Sequence, residues 1–240
     1  MTDILSRAAR AADRVLVGSR GADDVVEVYA PRGERRGSLL LVHGGFWRAR
    51  FDRTHLRPFA EFFADRGWLV ALPEYLRAGQ AGGGWPGTLD DLARIATETS
   101  ATLGVPAGEW VVAGHSAGGH LAILAAERVR FARVVSLAGV LDLAACAADG
   151  LSNDAAGEFL GSADAETVRA ADPMQQAVPS VDIALVHGDL DGDVPVEYST
   201  RYATRRDDIT LALLPGAGHF AVIDPEDPSF AAVVDAVEGR

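Results

Sequence analysis

The sequence predicts an α/β protein: a doubly wound, mostly parallel sheet of about seven to eight strands with helices on both faces. Three observations predict it. Short runs rich in Val, Ile and Leu recur along the chain, and amphipathic segments of about 10–15 residues separate them, the rhythm of βαβ units. Ser38–Val42 is apolar almost throughout, as a strand covered on both faces must be. Of the 240 residues, 48% are hydrophobic and 23% charged, enough apolar side chain for a sizeable core and too much for a disordered chain.

In chain order, Val25–Tyr29 alternates like a half-exposed strand and is expected as an antiparallel edge. Ser38–Val42 follows as a buried strand. Thr54–Arg66 carries Leu56, Phe59, Phe62 and Phe63 at helical spacing. Trp68–Leu72 is a strand stopped by Pro73, and Thr88–Leu103 a helix with Leu89, Leu92, Ile95 and Thr99 on one face. Glu109–Ala113 reads as a strand, Ala117–Arg130 as an Ala- and Leu-rich helix, and Arg133–Leu137 and Val181–Val186 as further strands. Val196–Arg206 is a helix, Ile209–Leu213 a strand and Phe230–Val237 the last helix. The right-handed crossover rule places these helices on both faces of the sheet. No repeat or linker divides the chain, so one domain over 1–240 is expected. Gly139–Ser180 breaks the rhythm as an Ala- and Asp-rich insertion of short helices, either a lid or one long crossover.

Composition excludes several chemistries. The single cysteine, Cys146, rules out an intrachain disulfide and a cysteine-based metal site. All 22 basic residues are arginine, so no phosphate-loop lysine, Schiff base or lysine general base exists. A net charge of −12 argues against nucleic acid. No run reaches the ~18 apolar residues of a membrane span. Met1–Val17 carries three arginines, Arg7, Arg10 and Arg14, in a helix-like pattern, but Asp3 and Asp13 argue against a transit peptide. The expectation is a cytoplasmic protein without a metal or other cofactor. Its partner is a small molecule rather than nucleic acid or membrane, and homodimerisation is left open.

The strongest chemical signal is Gly114-His115-Ser116-Ala117-Gly118, a G-x-S-x-G string with a strand directly before it and a helix directly after it. That context is a nucleophile elbow: a sharp turn presents the serine at a strand's carboxyl end, facing a helix amino terminus. A serine hydroxyl is a weak nucleophile and needs a general base, which in turn needs an orienting carboxylate. Three histidines follow Ser116. His120 lies inside the next helix and reads as a packing residue. His187 ends a strand and reads as a neighbour of the acid or as a core histidine. His219, in the glycine-rich loop Pro215–Phe220 after the last strand, is the expected base. For the acid, His187–Pro195 offers three aspartates, of which Asp191 lies mid-loop and is preferred; Asp142 is second choice, its bland role being a helix cap. The oxyanion donors are assigned to the amides of Gly45 and Phe46, in the loop His43–Arg48 after an early strand, and of Ala117.

Other patterns carry less. Gly82–Gly87 has G-x-G-x-x-G spacing but follows no strand and contains Pro86, so a loop rimming the site, with Trp85 reaching substrate, is the better reading. Asp189, Asp191 and Asp193 begin like a calcium loop, which Val194 and Thr200 then break. His115 and His120 lack helix zinc-site spacing.

The elbow Gly-His-Ser-Ala-Gly-Gly-His-Leu-Ala (114–122) and the loop His-Gly-Gly-Phe-Trp (43–47) resemble the α/β-hydrolase fold. More narrowly they resemble the hormone-sensitive-lipase-like esterases and their kynurenine formamidase (arylformamidase) branch. Tyr75-Leu76-Arg77, with Trp85-Pro86 and Asp90-Asp91, is similar to the segment after the third core strand there, although the usual order is Tyr-Arg-Leu. The resemblance runs from about Ser38 to Phe220. It implies a serine hydrolase that cleaves a small ester or an aryl formamide through an acyl-enzyme on Ser116. Phe46, Trp47 and Phe220 would form an aromatic wall, and His43, Gly44, Tyr75, Trp85 and His115 would stand around the substrate. A catalytically silent ligand-binding or scaffold relative, or an acyltransferase or thioesterase with the same triad, are the competing readings.

Overall fold

The structure is a computed structural model and describes residues 4–162 and 164–240. Eight strands form one sheet: β1 Arg14–Val17, β2 Val25–Tyr29, β3 Gly37–Val42, β4 Trp68–Pro73, β5 Trp110–His115, β6 Arg133–Leu137, β7 Asp182–Gly188 and β8 Thr210–Leu214. Their order across the sheet is β1-β2-β4-β3-β5-β6-β7-β8. The β1–β2 and β2–β4 pairs are antiparallel and the other pairs parallel. The helices are α1 Arg57–Asp65, α2 Gly87–Leu103, α3 Ala117–Ala125, α4 Leu143–Ala148, α5 Leu151–Leu160, α6 Ala165–Ala171, α7 Glu197–Ala203 and α8 Phe230–Glu238.

The period of two in the central strands divides the core. Leu40, Val42 and Val112 face one side and pack with Leu92 and Leu121 of α2 and α3. Leu39, Leu41 and Val111 face the other and pack with Phe59, Phe63 and Phe230 of α1 and α8. A doubly covered sheet of this kind has no polar face, which is why β3 and β5 read as continuous apolar runs. All nine residues of α3 are buried.

Two expectations at the amino-terminal end are corrected. The helix-like pattern over Met1–Val17 is a short 3-10 turn at Ile4–Ser6 and then strand β1; Met1–Asp3 lie outside the described residues. Consequently β2 is not the edge: β1 covers it, in the register Arg14↔Val28 to Val17↔Val25. The alternating pattern failed because β2 is buried throughout, Glu27 included, whose charge Arg53 and Arg57 neutralise. The helix expected to run to Arg130 stops at Ala125, where the exposed Glu127 and Arg128 form a turn leading into β6. Among the described residues, no helix is long and apolar enough to cross a membrane.

The strand order decides where a ligand can sit. From β3 the chain goes first to one side, β4, and then to the other, β5, so the loops leaving β3 and β5 diverge at their carboxyl ends. That is a topological switch point, where open α/β sheets bind ligands. Val42 pairs with Gly114, so the two glycine-bearing loops start side by side.

Candidate active site

Ser116 sits on the turn between β5 and α3 with φ 57° and ψ −119°, a conformation that L-residues rarely adopt. The surroundings enforce it. The Ser116 amide donates to the Leu137 carbonyl (2.8 Å), and its own carbonyl accepts from Gly119 (2.9 Å). A side chain at Gly114 would collide with the Gly118 carbonyl, and one at Gly118 with the carbonyls of Val42 and His43. Both glycines of the G-x-S-x-G string are therefore required by close backbone approach.

The loop after β3 runs beside the elbow. A side chain on Gly44 would lie 2.9 Å from the His115 carbonyl and 3.0 Å from Ser116 Cβ. Gly45, Phe46 and Trp47 all have positive φ, at 106°, 50° and 57°. Among the described residues, the amides of Gly45, Phe46 and Ala117 enter no internal hydrogen bond. Gly45 and Phe46 line the cavity that holds Ser116, and Ala117 opens α3, where an amide has no helical acceptor.

The candidate base and acid, His219 and Asp191, come from loops beyond β7 and β8. His219 Nδ1 donates to Asp191 Oδ2 at 2.7 Å, which leaves Nε2 as the basic nitrogen. Asp191 is fully enclosed and saturated: its Oδ1 accepts the amides of Asp193 and Val194, both at 2.8 Å, and its Oδ2 also accepts His187 Nε2 at 3.1 Å. Burial by itself would raise this carboxyl; the hydrogen bonds from His187 and His219 outweigh it and hold Asp191 well below the usual carboxylate range. His187 is in turn set by Ser199 Oγ, 2.7 Å from its Nδ1. His115 Nε2 donates to the His219 carbonyl at 3.1 Å and so steadies the His219 backbone. Burial keeps His115 neutral. Asp189 accepts the Gly216 amide from the loop after β8, and Asp142 caps α4 through the Ala145 amide, the bland role anticipated for it.

Ser116, His115, His219, Gly45, Phe46 and Phe220 line one cavity of about 470 Å³. Among the described residues, no hydrogen bond joins Ser116 Oγ to His219; the two share the cavity wall. Asp191, Asp193 and His219 bring potential metal-ligating atoms within 4.8 Å of one another. Two of them are already spent on each other, so this group fits a proton-handling pair better than a cation site.

Five residues expected around the substrate do not reach this cavity. Trp47 is wholly buried, donates from Nε1 to His120 Nδ1 (3.3 Å) and stacks on Phe159 with ring centroids 4.6 Å apart. The expected aromatic wall is therefore Phe46, Phe220 and Phe51. Trp85 packs edge-on against Phe159, and its amide donates to the Phe159 carbonyl (2.8 Å), so the 82–87 loop serves α5 rather than the cavity. Tyr75 is buried and donates to the His43 carbonyl (2.8 Å). His43 and Gly44 lie under the loop, His43 turned toward Glu74 and Gly44 packed against the elbow. These residues shape the loop without forming the wall.

Sequence reasoning overlooked other lining residues: Leu5, Arg50, Phe51, Asp52, Thr54, His55, Ser152 and Asp193. His55 follows the loop closely, and only the apolar spacing around it was informative. Burial lowers it to about 4, so it is a neutral donor and acceptor. The Gly139–Ser180 insertion, of which Ala163 is outside the described residues, reaches the cavity through Ser152. Arg48 ties it down, donating to Glu158 (2.6 Å), Ser152 Oγ (2.9 Å) and the Asn153 carbonyl (3.1 Å).

The BD-FAE family profile matches residues 26–205, a span holding the elbow, the β3 loop and Asp191. Among solved structures, a thermophilic esterase, Est2, from the Planctomycetes species Thermogutta terrifontis superposes with TM-score 0.72 at 21% identity, covering 94% of this chain and 90% of that one. The same esterase with propionate bound gives 0.71 at 22% identity, covering 94% and 92%. An acetyl ester-xyloside bifunctional hydrolase from Caldicellulosiruptor lactoaceticus gives 0.71 at 21%, covering 88% and 86%. These likenesses establish the α/β-hydrolase fold. No curated protein matches the sequence.

Proposed function

The chain belongs to BD-FAE, an α/β-hydrolase-type esterase family, and from that premise we propose that it is a serine hydrolase cleaving small carboxylic esters through an acyl-enzyme on Ser116. One observation carries the proposal. A serine on a strained elbow shares its cavity with a histidine whose Nδ1 is committed to a saturated, ionised aspartate at 2.7 Å.

In this mechanism Ser116 Oγ attacks the ester carbonyl carbon while His219 Nε2 takes its proton. Asp191 stabilises the imidazolium and fixes its orientation. The amides of Gly45, Phe46 and Ala117 stabilise the oxyanion of the tetrahedral intermediate. His219 then returns the proton to the leaving alkoxide, an alcohol departs, and water repeats the sequence to free the acid and restore Ser116. No step calls on a metal or other cofactor.

A cavity of about 470 Å³ walled by Phe46, Phe51 and Phe220 suits a short acyl group with an apolar or aryl leaving group, not a long polymer threaded through. An aryl formamide meets the same description, and hydrolysis rates on N-formylkynurenine and on p-nitrophenyl acetate would separate the two. A fluorophosphonate probe should label the wild type and leave Ser116→Ala unlabelled; equal labelling of both would overturn the proposal.

A further inference from the structure

Beneath the oxyanion loop lies a buried charged cluster that the mechanism above leaves without a task. His43 ends β3's run into that loop and is fully buried. Its Nε2 is 3.0 Å from Glu74 Oε1, and its Nδ1 is 2.8 Å from the Gly44 carbonyl oxygen. Both partners are acceptors. A neutral imidazole carries one N–H, so one ring nitrogen would direct a bare lone pair at an oxygen lone pair at hydrogen-bond distance. Only the doubly protonated ring satisfies both contacts.

The Gly44 carbonyl and the Gly45 N–H are the two ends of one peptide group. A charge-assisted hydrogen bond on the oxygen withdraws electron density and makes the N–H at the other end a stronger donor. We propose that Glu74 holds His43 as an imidazolium, and that His43 is a positioning residue that polarises the Gly44–Gly45 peptide so that the Gly45 amide binds the oxyanion more strongly. The catalytic half of this rests on the serine-hydrolase reading; the charge state of His43 does not.

The groups around the ring are consistent with that charge. Glu74 also forms an ion pair with Arg77 Nη1 at 2.7 Å and accepts a hydrogen bond from Arg53 Nη1 at 2.9 Å. Burial would raise its carboxyl, but the hydrogen bonds from His43 and the Arg53 amide, with the Arg77 charge, outweigh it and hold it below its ordinary value. Arg53 and Arg77 oppose a third cation; Glu74 and Asp52 favour it, and Arg53 is also neutralised by Glu27 (2.6 Å). The Tyr75 ring lies stacked on His43 with centroids 4.3 Å apart, a face that attracts a cation. His55, 6.2 Å away, is neutral and adds no charge.

Long-range proton–nitrogen NMR of the ¹⁵N-histidine-labelled wild type tests the charge directly. Both His43 nitrogens should be protonated in the folded wild type; a pattern with one bare nitrogen would overturn the proposal. In Glu74→Gln, which keeps the shape but not the charge, the doubly protonated pattern of His43 should be lost under the same conditions. kcat on p-nitrophenyl acetate should drop roughly 10-fold, less than the ~10²–10³ of deleting an oxyanion donor. KM should stay within about 2-fold and the alkaline limb of kcat should move to lower pH, with Glu74→Asp restoring both. An unmoved pH profile with only a lowered Tm would reduce Glu74 to a structural role and overturn the catalytic half. If Glu74→Gln does not fold, the wild-type spectrum still decides the charge. Failure of probe labelling at Ser116 would remove the reaction and leave the spectrum standing.

Discussion

Asp191 Oδ2 stands 2.7 Å from His219 Nδ1, and that contact decides which imidazole nitrogen is left free. An amide in place of the carboxylate cannot accept at both oxygens, so the ring would lose its preferred tautomer and its imidazolium its counter-charge. Asp191→Asn should keep the fold and lower kcat by roughly 10³–10⁴-fold, as when a triad carboxylate is neutralised. Hydrolysis of p-nitrophenyl acetate beside a circular dichroism spectrum checks this; a loss under 10-fold in a folded variant would assign the acid elsewhere.

Trp47 separates packing from substrate contact. Trp47→Phe retains a ring against Phe159 but removes the indole N–H, stranding His120 Nδ1 in the core. The cost should be about 1–3 kcal/mol, and Trp47→Ala about 3–5 kcal/mol. Because Trp47 does not line the cavity, KM for small esters should be unchanged in Trp47→Phe. Chemical denaturation and steady-state kinetics on the same samples read both, and a raised KM at unchanged stability would return Trp47 to the wall.

Acid sensitivity should follow from the buried histidines. Burial lowers His120 to about 4, while an unfolded chain's histidine titrates near 6.5. Between those values the unfolded state holds the extra proton, so stability falls as pH drops from about 6.5 toward 4. His120 alone should account for about 3 kcal/mol across that window. His55 and His115, lowered chiefly by burial as well, act in the same direction. Urea midpoints for wild type and His120→Gln at pH 7, 6 and 5 should converge as the pH falls; parallel lines would contradict a neutral His120.

Arg48 couples the insertion to the loop that ends at Trp47. Its removal as Arg48→Gln breaks the contacts to Glu158, Ser152 and the Asn153 carbonyl. Amides of α5 should then exchange hydrogen several-fold faster, with little change in β5 or β6, because local opening costs less where fewer contacts remain. Unaltered exchange over residues 151–160 would show that the contacts of Phe159 with Trp47 and Trp85 hold the insertion without Arg48.

Much of the fold was legible in the sequence, and so were the candidate residues that the structure brings to one cavity. Seven strands and the elbow are readable because each depends on local rules: a covered strand is apolar along its length, and Gly114 and Gly118 flank Ser116 because neighbouring backbone leaves no room for a side chain. His219 and Asp191 are readable because loops at the carboxyl ends of parallel strands gather at one edge. β1 was not, since four residues with Val15 and Val17 exposed take their conformation from the strand they pair with.

What the chain order determined by itself was the framework: a parallel sheet, a serine at a bend, and a histidine and an aspartate in two later loops. Which side chains face the cavity was decided only in three dimensions. Phe46 and Trp47 are adjacent and aromatic, yet successive left-handed residues send one to the cavity and the other inward onto Phe159, a partner far along the chain. His55 became a lining residue and Glu74 the anchor of His43 in the same way. Direction in a loop is set by backbone torsions and by distant packing, and neither leaves a periodic trace in the sequence.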